Sequence, residues 1–224
     1  MTSKTIGAKS PAKQQEESAP TGRTRQRRPQ EVRERVITAA LHAFATVGFE
    51  GASTRSIAAD AQVSHSLLIY HFQTKDDLWK AVVVNLAERF AISRVDEVVA
   101  SGGASARDRL KRAIRKIVTM SAQYPELHRL MTIEAHQPSK RLTWMCENLI
   151  GEQFEFMRDL ISEAQREGAV RRADPERLRF SIIGMAAVPF SVSAEYQYLT
   201  KRNPFSKIEI EQTIDLINAL IFVD

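Results

Sequence analysis

Apolar residues recur along most of this chain at three- and four-residue intervals, the period of one face of an α-helix. Ile37, Ala40, Leu41, Phe44 and Val47 form the first such stripe. Pro29 suits the first turn and Gly48 the C-terminal cap, so a helix is expected over 29–47. Ile57, Ala58 and Ala61 then form the inner face of a short helix from Thr54 to Ala61, which Ser53 or Thr54 can cap. Gln62 and Val63 turn the chain. Ser64 can cap a third helix, to Phe72, with Leu68 and Phe72 inside. Thr74-Lys-Asp-Asp77 has the form of a capping box and opens a long helix, to about Ala100, with Leu78, Val82, Leu86 and Phe90 along one side. Gly102-Gly103 then breaks the chain and marks a hinge.

From Ala104 onward only helices are expected. Ser105 with Asp108 opens one that carries Leu110, Ile114, Ile117 and Val118. Pro125 starts another, ending near Gln137-Pro138. Ser139 opens a long helix through Leu142, Met145, Leu149, Phe154, Met157, Leu160 and Ile161, closed by Gly168. Asp174-Pro175-Glu176 opens the next, which Pro189 is expected to kink, and Ser206 with Glu209 opens the last. No alternating strand pattern occurs, so the expected fold class is all-α. Phe180, Ile182, Ile183, Met185 and Val188 offer more apolar surface than one face can bury within one subunit. A homodimer through the last two helices is therefore expected.

Composition narrows the class. The 224 residues are 43% hydrophobic, enough for a folded core. No run of about 18 apolar residues suggests a membrane span, and the polar N-terminus lacks a signal-peptide core. The single cysteine, Cys146, suits a reducing cytoplasm. The net charge of +5 is concentrated: residues 1–35 carry nine basic and four acidic side chains, leaving the remainder neutral overall. Residues 1–28 therefore read as a disordered basic arm, placed directly before a two-helix unit.

That unit, Gly48 to Leu78, has the form of a helix-turn-helix, in which the first residues of the second helix meet base edges of DNA. It resembles the N-terminal domain of the tetracycline-repressor (TetR) family of bacterial transcription regulators. The residues that carry the resemblance are Gly48-Phe49, Ser53, Ile57-Ala58, Ala61, Val63-Ser64, Tyr70-His71-Phe72, Lys75 and Leu78. Two positions depart from the family pattern. Gln62 stands where Gly is usual and would have to accept φ > 0. Ile69 stands where an aromatic, often Tyr, is common, so its phosphate contact is missing or is supplied by Tyr70. Shorter matches, Tyr124-Pro125-Glu126-Leu127, Arg129-Leu130 and Ala173-Asp174-Pro175, are similar to the branch containing the pyrimidine-responsive repressor of enteric bacteria. The resemblance implies a DNA-binding domain at 29–75 and a helical regulatory and dimerisation domain at 76–224. It also implies a near-palindromic double-stranded DNA operator and a small-molecule effector.

Candidate DNA contacts follow from position and chemistry. Arg25, Arg27 and Arg28 can lie along phosphates or enter a minor groove, or simply solubilise the arm. Thr54 and Arg55 are candidates at the start of the helix over 54–61, and Arg55 can bond bidentately to guanine or contact a phosphate. His65 and Ser66 can reach base edges or phosphates, and Leu67 can pack on a thymine methyl. Ser53, Ser64, Tyr70, His71 and Lys75 suit phosphates, although Tyr70 and His71 can instead pack against the first helix. In the regulatory half a cavity is expected between helices. Its candidate liners are Met120, Tyr124, His128, Met131, Trp144, Phe154, Met157, Met185, Phe190 and Tyr196, any of which can equally be plain core. His128, His136 and Cys146 are too irregularly spaced for a zinc pattern, so no metal or other cofactor is expected. Nucleotide-binding, hydrolase and metalloprotease motifs are absent, which argues against an enzyme. The rival reading is a DNA-binding dimer that answers to no ligand.

Overall fold

The computed structural model describes residue 1 and residues 22–89 and 104–223, and the described residues are almost entirely helical. Helix α1, Gly22–Gly51, begins seven residues before the expected start at Pro29. Arg and Gln at 23–28 favour a helix, and Pro29 forfeits one hydrogen bond, so the helix runs through it. Side chains of 22–28 fall outside the described residues, as do residues 2–21 of the expected arm. Gly48, with φ 72°, interrupts α1. A Cβ there would lie 3.3 Å from the Ile133 side chain, so both the backbone turn and the close approach favour glycine.

α2 (Thr54–Asp60) and α3 (His65–His71) follow the local code closely. Ser53 Oγ accepts the Arg55 N–H, and Ser64 Oγ accepts the Leu67 N–H. Between them Gln62 adopts φ 55°, the strained conformation its position demanded. Its N–H donates to Ala59 and the Val63 N–H to Ala58, the paired bonds of a Schellman cap. α4 (Lys75–Arg89) opens on the expected capping box, with the Asp77 N–H donating to Thr74 Oγ1 and the Thr74 N–H to Asp77 Oδ2. The continuation to Ala100, Phe90 and the Gly102-Gly103 hinge lie outside the described residues.

In the C-terminal half, α5 (Ala106–Gln123) is capped by Ser105, and α6 is Pro125–Ala135. The single long helix expected from Ser139 is instead three pieces. These are α7 (Lys140–Met145), a π-helical turn (Cys146–Ile150) and α8 (Gly151–Arg166). The Gly151 N–H reaches back five residues to the Cys146 carbonyl, and a Cβ on Gly151 would sit 2.9 Å from that oxygen. Glycine thus permits the widened turn. α9 (Pro175–Ser191) and α10 (Ser193–Thr200) meet at a 77° bend. The kink expected at Pro189 is a full break three residues later, at Val192. α11 (Lys207–Ile221) ends the fold. No single described helix is long and apolar enough to cross a membrane.

Two apolar cores result. One joins α1–α4 through Phe44, Ile57, Leu68, Leu78 and Trp79 and continues into Leu127, Leu130 and Met145. The core therefore does not stop at the expected boundary after residue 75. Trp79 meets Trp144 edge-on across this seam, 6.0 Å between ring centres. The other core joins α5, α8, α9 and α11 around Ile114, Ile161, Phe190 and Ile217.

Candidate nucleic-acid interface and ligand cavity

The outer surface of α2 and α3 is polar and held by local bonds. His65 Nε2 lies 3.0 Å from Thr54 Oγ1 and ties the start of α3 to the start of α2. Ser64 Oγ lies 3.1 Å from Ser66 Oγ. Ser53 and Ser64 thus each spend a lone pair on a cap, and both residues stay exposed. Arg55, His65, Ser66 and Tyr70 are exposed, Tyr70 at 81%. Leu67 and His71 are half-buried. His71 packs edge-on to Tyr70 at 5.5 Å and lies 6.3 Å from the Phe72 ring, which favours its packing role. From Gln62 to Thr74 the chain carries no acid, so no carboxylate on α3 opposes a phosphate. Lys75 points elsewhere than expected. Its ammonium sits 4.4 Å from the Phe49 ring centre and 3.4 Å from the Glu50 carbonyl, and a phosphate would have to draw it off both. Arg25, Arg27 and Arg28 lie on α1, and their side chains are outside the described residues.

The regulatory half encloses a cavity of about 130 Å³. Val83 of α4, Met120 of α5 and His128 and Met131 of α6 form part of its wall. Met145 of α7, Leu149 and Ile150 of the π turn, Gln153 and Met157 of α8, and Arg179 of α9 form much of the rest. Of the ten candidates, Met120, His128, Met131 and Met157 line this space. The other six lie elsewhere. Tyr124 ends α5 and packs on the head core, and Trp144 lies on Trp79. Phe154 packs on Phe180, and Met185 and Phe190 belong to the second core. The Tyr196 hydroxyl donates to Glu209 Oε2 at 2.6 Å. Each of these rings or chains found an internal partner that composition alone does not reveal.

His128 is tied to α5 through one ring nitrogen. The Ser121 hydroxyl lies 2.8 Å from the Ile117 carbonyl and 2.8 Å from His128 Nε2. Ser121 thus engages Nε2 and leaves Nδ1 as the other polar atom of the ring. Burial holds the His128 pKa below its ordinary value, so the ring is neutral near pH 7. Arg179 and Gln153 were not anticipated. Arg179 sits in a run, Arg177-Leu-Arg-Phe180, that reads as the solvated start of a helix.

A second unanticipated group joins the cavity wall to the reading head. At the far end of α6, Glu134 is 7% exposed, and its carboxylate accepts from Ser139 Oγ at 2.7 Å and from Arg141 Nε at 3.1 and 3.2 Å. The same guanidinium lies 3.7 Å from the Phe49 ring centre, 3.6 Å from Glu50 and 3.9 Å from Asp76. The Glu50 and Asp76 contacts are long and solvated and contribute little; the Glu134 pair and the Phe49 stack fix the geometry. No short-range sequence pattern marks Arg141, because its partners lie on α1, α4 and α6.

A family profile described as "Bacterial regulatory proteins, tetR family" matches residues 36–82, and "Tetracyclin repressor-like, C-terminal domain" matches residues 103–189, together more than half of the chain. The HTH-type transcriptional regulator RutR of Escherichia coli K12 is 26% identical over 192 residues, covering 83% of this chain and 86% of RutR. Among solved structures, a bacterial regulatory protein in the tetR family from Rhodococcus RHA1 superposes with TM-score 0.68 at 19% identity, covering 86% of this chain and 98% of that one. AibR, solved in complex with isovaleryl coenzyme A and operator DNA, superposes with TM-score 0.64 at 20% identity, covering 85% and 98%. At these identities the structural matches establish the shared fold.

Proposed function

The chain belongs to the TetR family of bacterial regulatory proteins and is a DNA-binding transcription regulator, and we propose that it is a homodimeric repressor released from a near-palindromic operator by a small molecule. The observation that carries the reading is that the cavity shares its walls with the two helices that reach the head. α4 contributes Val83 and starts at the capping box behind α3. α6 contributes His128 and Met131 and ends where Ile133 abuts Gly48 and Glu134 grips Arg141. A ligand that prefers one setting of these helices shifts the population of head positions. A tenfold loss of operator affinity needs only about 1.4 kcal/mol of differential binding. That AibR was captured with an acyl coenzyme A and operator DNA supports a fold able to hold both.

The dimer rests on exposed apolar residues of α9 and α11. Phe180 is 63% exposed, Ile208 69% and Leu216 58%. A second copy of this face would bury them in a four-helix bundle and set two reading helices about 34–36 Å apart. Sedimentation tests this part: Leu216→Asp is expected to yield a monomer that binds operator poorly, and a variant that stays dimeric would move the interface elsewhere.

DNA bound to the protein in cells, recovered and sequenced, tests the regulatory reading. A few palindromic sites beside one operon are expected. Many dispersed sites without a shared palindrome would overturn a local switch. Operator binding indifferent to every added compound would favour the ligand-independent dimer, and tighter binding would make the ligand a corepressor.

A further inference from the structure

The cavity wall is apolar except at three side chains, and only Arg179 among the described lining residues carries a formal charge. Its guanidinium lies over the rings of Phe180 at 4.9 Å and Phe154 at 5.4 Å. Contacts with ring faces leave the in-plane N–H groups of a guanidinium as its hydrogen-bonding sites. Nε is buried without a hydrogen-bond partner. Burial alone pushes the Arg179 pKa down, with no carboxylate acting against it. Leaving a half-buried guanidinium without a counter-charge is costly, and an incoming anion offsets that cost.

Size limits the anion. A dry apolar cavity of about 150 Å³ accommodates benzene. The present cavity, about 130 Å³, is of that order. It suits an apolar body of roughly six carbons and is too small for a long acyl chain lying wholly inside.

We infer that the cavity takes a small monocarboxylate with an apolar body about the size of benzene, its carboxylate gripped by Arg179 and its body held among Met120, Met131 and Met157. This inference rests on the reading of the cavity as the effector site. The Nδ1 of neutral His128, which Ser121 does not engage, adds a place for a hydroxyl or amide substituent, groups that both donate and accept, on the same body. Arg suits the carboxylate better than Lys would, because its planar fork meets two oxygens at once.

Titration calorimetry on the full chain, with benzoate and hexanoate against benzamide and hexanamide, tests the assignment. The carboxylates are expected to bind at least about tenfold more tightly than their amides, the scale of one charge-assisted hydrogen bond. Arg179→Gln is expected to erase that preference, and Arg179→Lys to recover part of it. Thermal unfolding and DNA binding of both variants report whether they remain folded. Amides that bind as well as carboxylates, a preference that survives Arg179→Gln, or no binding by any of the four would each overturn the inference. Affinity for DNA fragments obtained by in vitro selection is measured alongside. Carboxylates that bind through Arg179 yet leave DNA affinity unchanged would defeat the effector reading and spare the anion site. An amide that binds and releases DNA would do the reverse.

Discussion

The reading head and the regulatory half place their polar groups in opposite ways. In the head, Ser53, Thr54, Ser64, His65 and Asp77 lie on the outside, each committed to a bond within a few residues or across the α2–α3 turn. Beneath them Ile57 and Leu68 are fully buried. In the regulatory half the functional polar groups are few and turned inward, His128 and Arg179 against a wall of thioethers and aliphatic chains. Four of the six methionines of the chain line the cavity. Methionine adapts its shape readily, and the π turn beside it is a relaxed segment of helix. DNA is large and stiff, so its reader must be preformed and outward-facing. A small molecule must be surrounded, so its receptor needs walls that give.

Truncating each core should break the comparison most sharply. Leu68→Ala is expected to cost about 2–5 kcal/mol and to abolish DNA binding near the unfolding midpoint. Met157→Ala, which only widens an existing space, should fall at or below the low end of that range. Equal losses in thermal or denaturant unfolding would mean the two halves are equally rigid. The junction comes next. Arg141→Met strands the carboxylate of Glu134 and should cost about 2–3 kcal/mol, less than a fully buried pair because Arg141 keeps some water contact. Adding Glu134→Gln should restore part of the loss, and a double variant no better than the single would discount the pair.

Smaller effects probe the outer face alone. Arg55→Ala should cost about 1–3 kcal/mol on the specific site and far less on random DNA, and equal losses on both would reduce Arg55 to a phosphate contact. Ser64→Ala removes the α3 cap and should lower stability by about 0.5–2 kcal/mol, read as a shift of the denaturant midpoint. The smallest effect is a pH dependence in the regulatory half. The folded pKa of His128 lies below its ordinary 6.5, so the unfolded chain takes up the proton first. Its contribution is therefore intact above about 6.5 and is lost as pH falls below that value. His128→Gln should flatten this acid limb, and an unchanged limb would assign it to other groups.

Local rules and long-range packing were unequally visible from the amino-acid order. Ser53, Ser64, Ser105, Ser139, Asp174 and Ser206 were legible as caps because a cap is decided within four residues. Even the strain at Gln62 followed from the turn on either side of it. The identity of the cavity wall did not follow, because it depends on how α4, α5, α6, α8 and α9 are rotated against one another. Tyr124, Trp144 and Tyr196 have the polar handles a ligand could use, yet Tyr196 spends its hydroxyl on Glu209 and Trp144 packs on Trp79. Arg179 and Arg141 were invisible for the converse reason. An arginine near a helix start reads as solvated until its neighbours from distant elements are in place. The π turn had one local sign, Gly151 within an otherwise apolar stripe.

The pairing of Trp79 with Trp144 has a consequence for anyone working with this protein at the bench. They are the only two tryptophans in the chain, and they face each other across the seam between its halves. All indole emission therefore originates from one place, and any colour or intensity change on adding a compound reads that seam without a dye or a label.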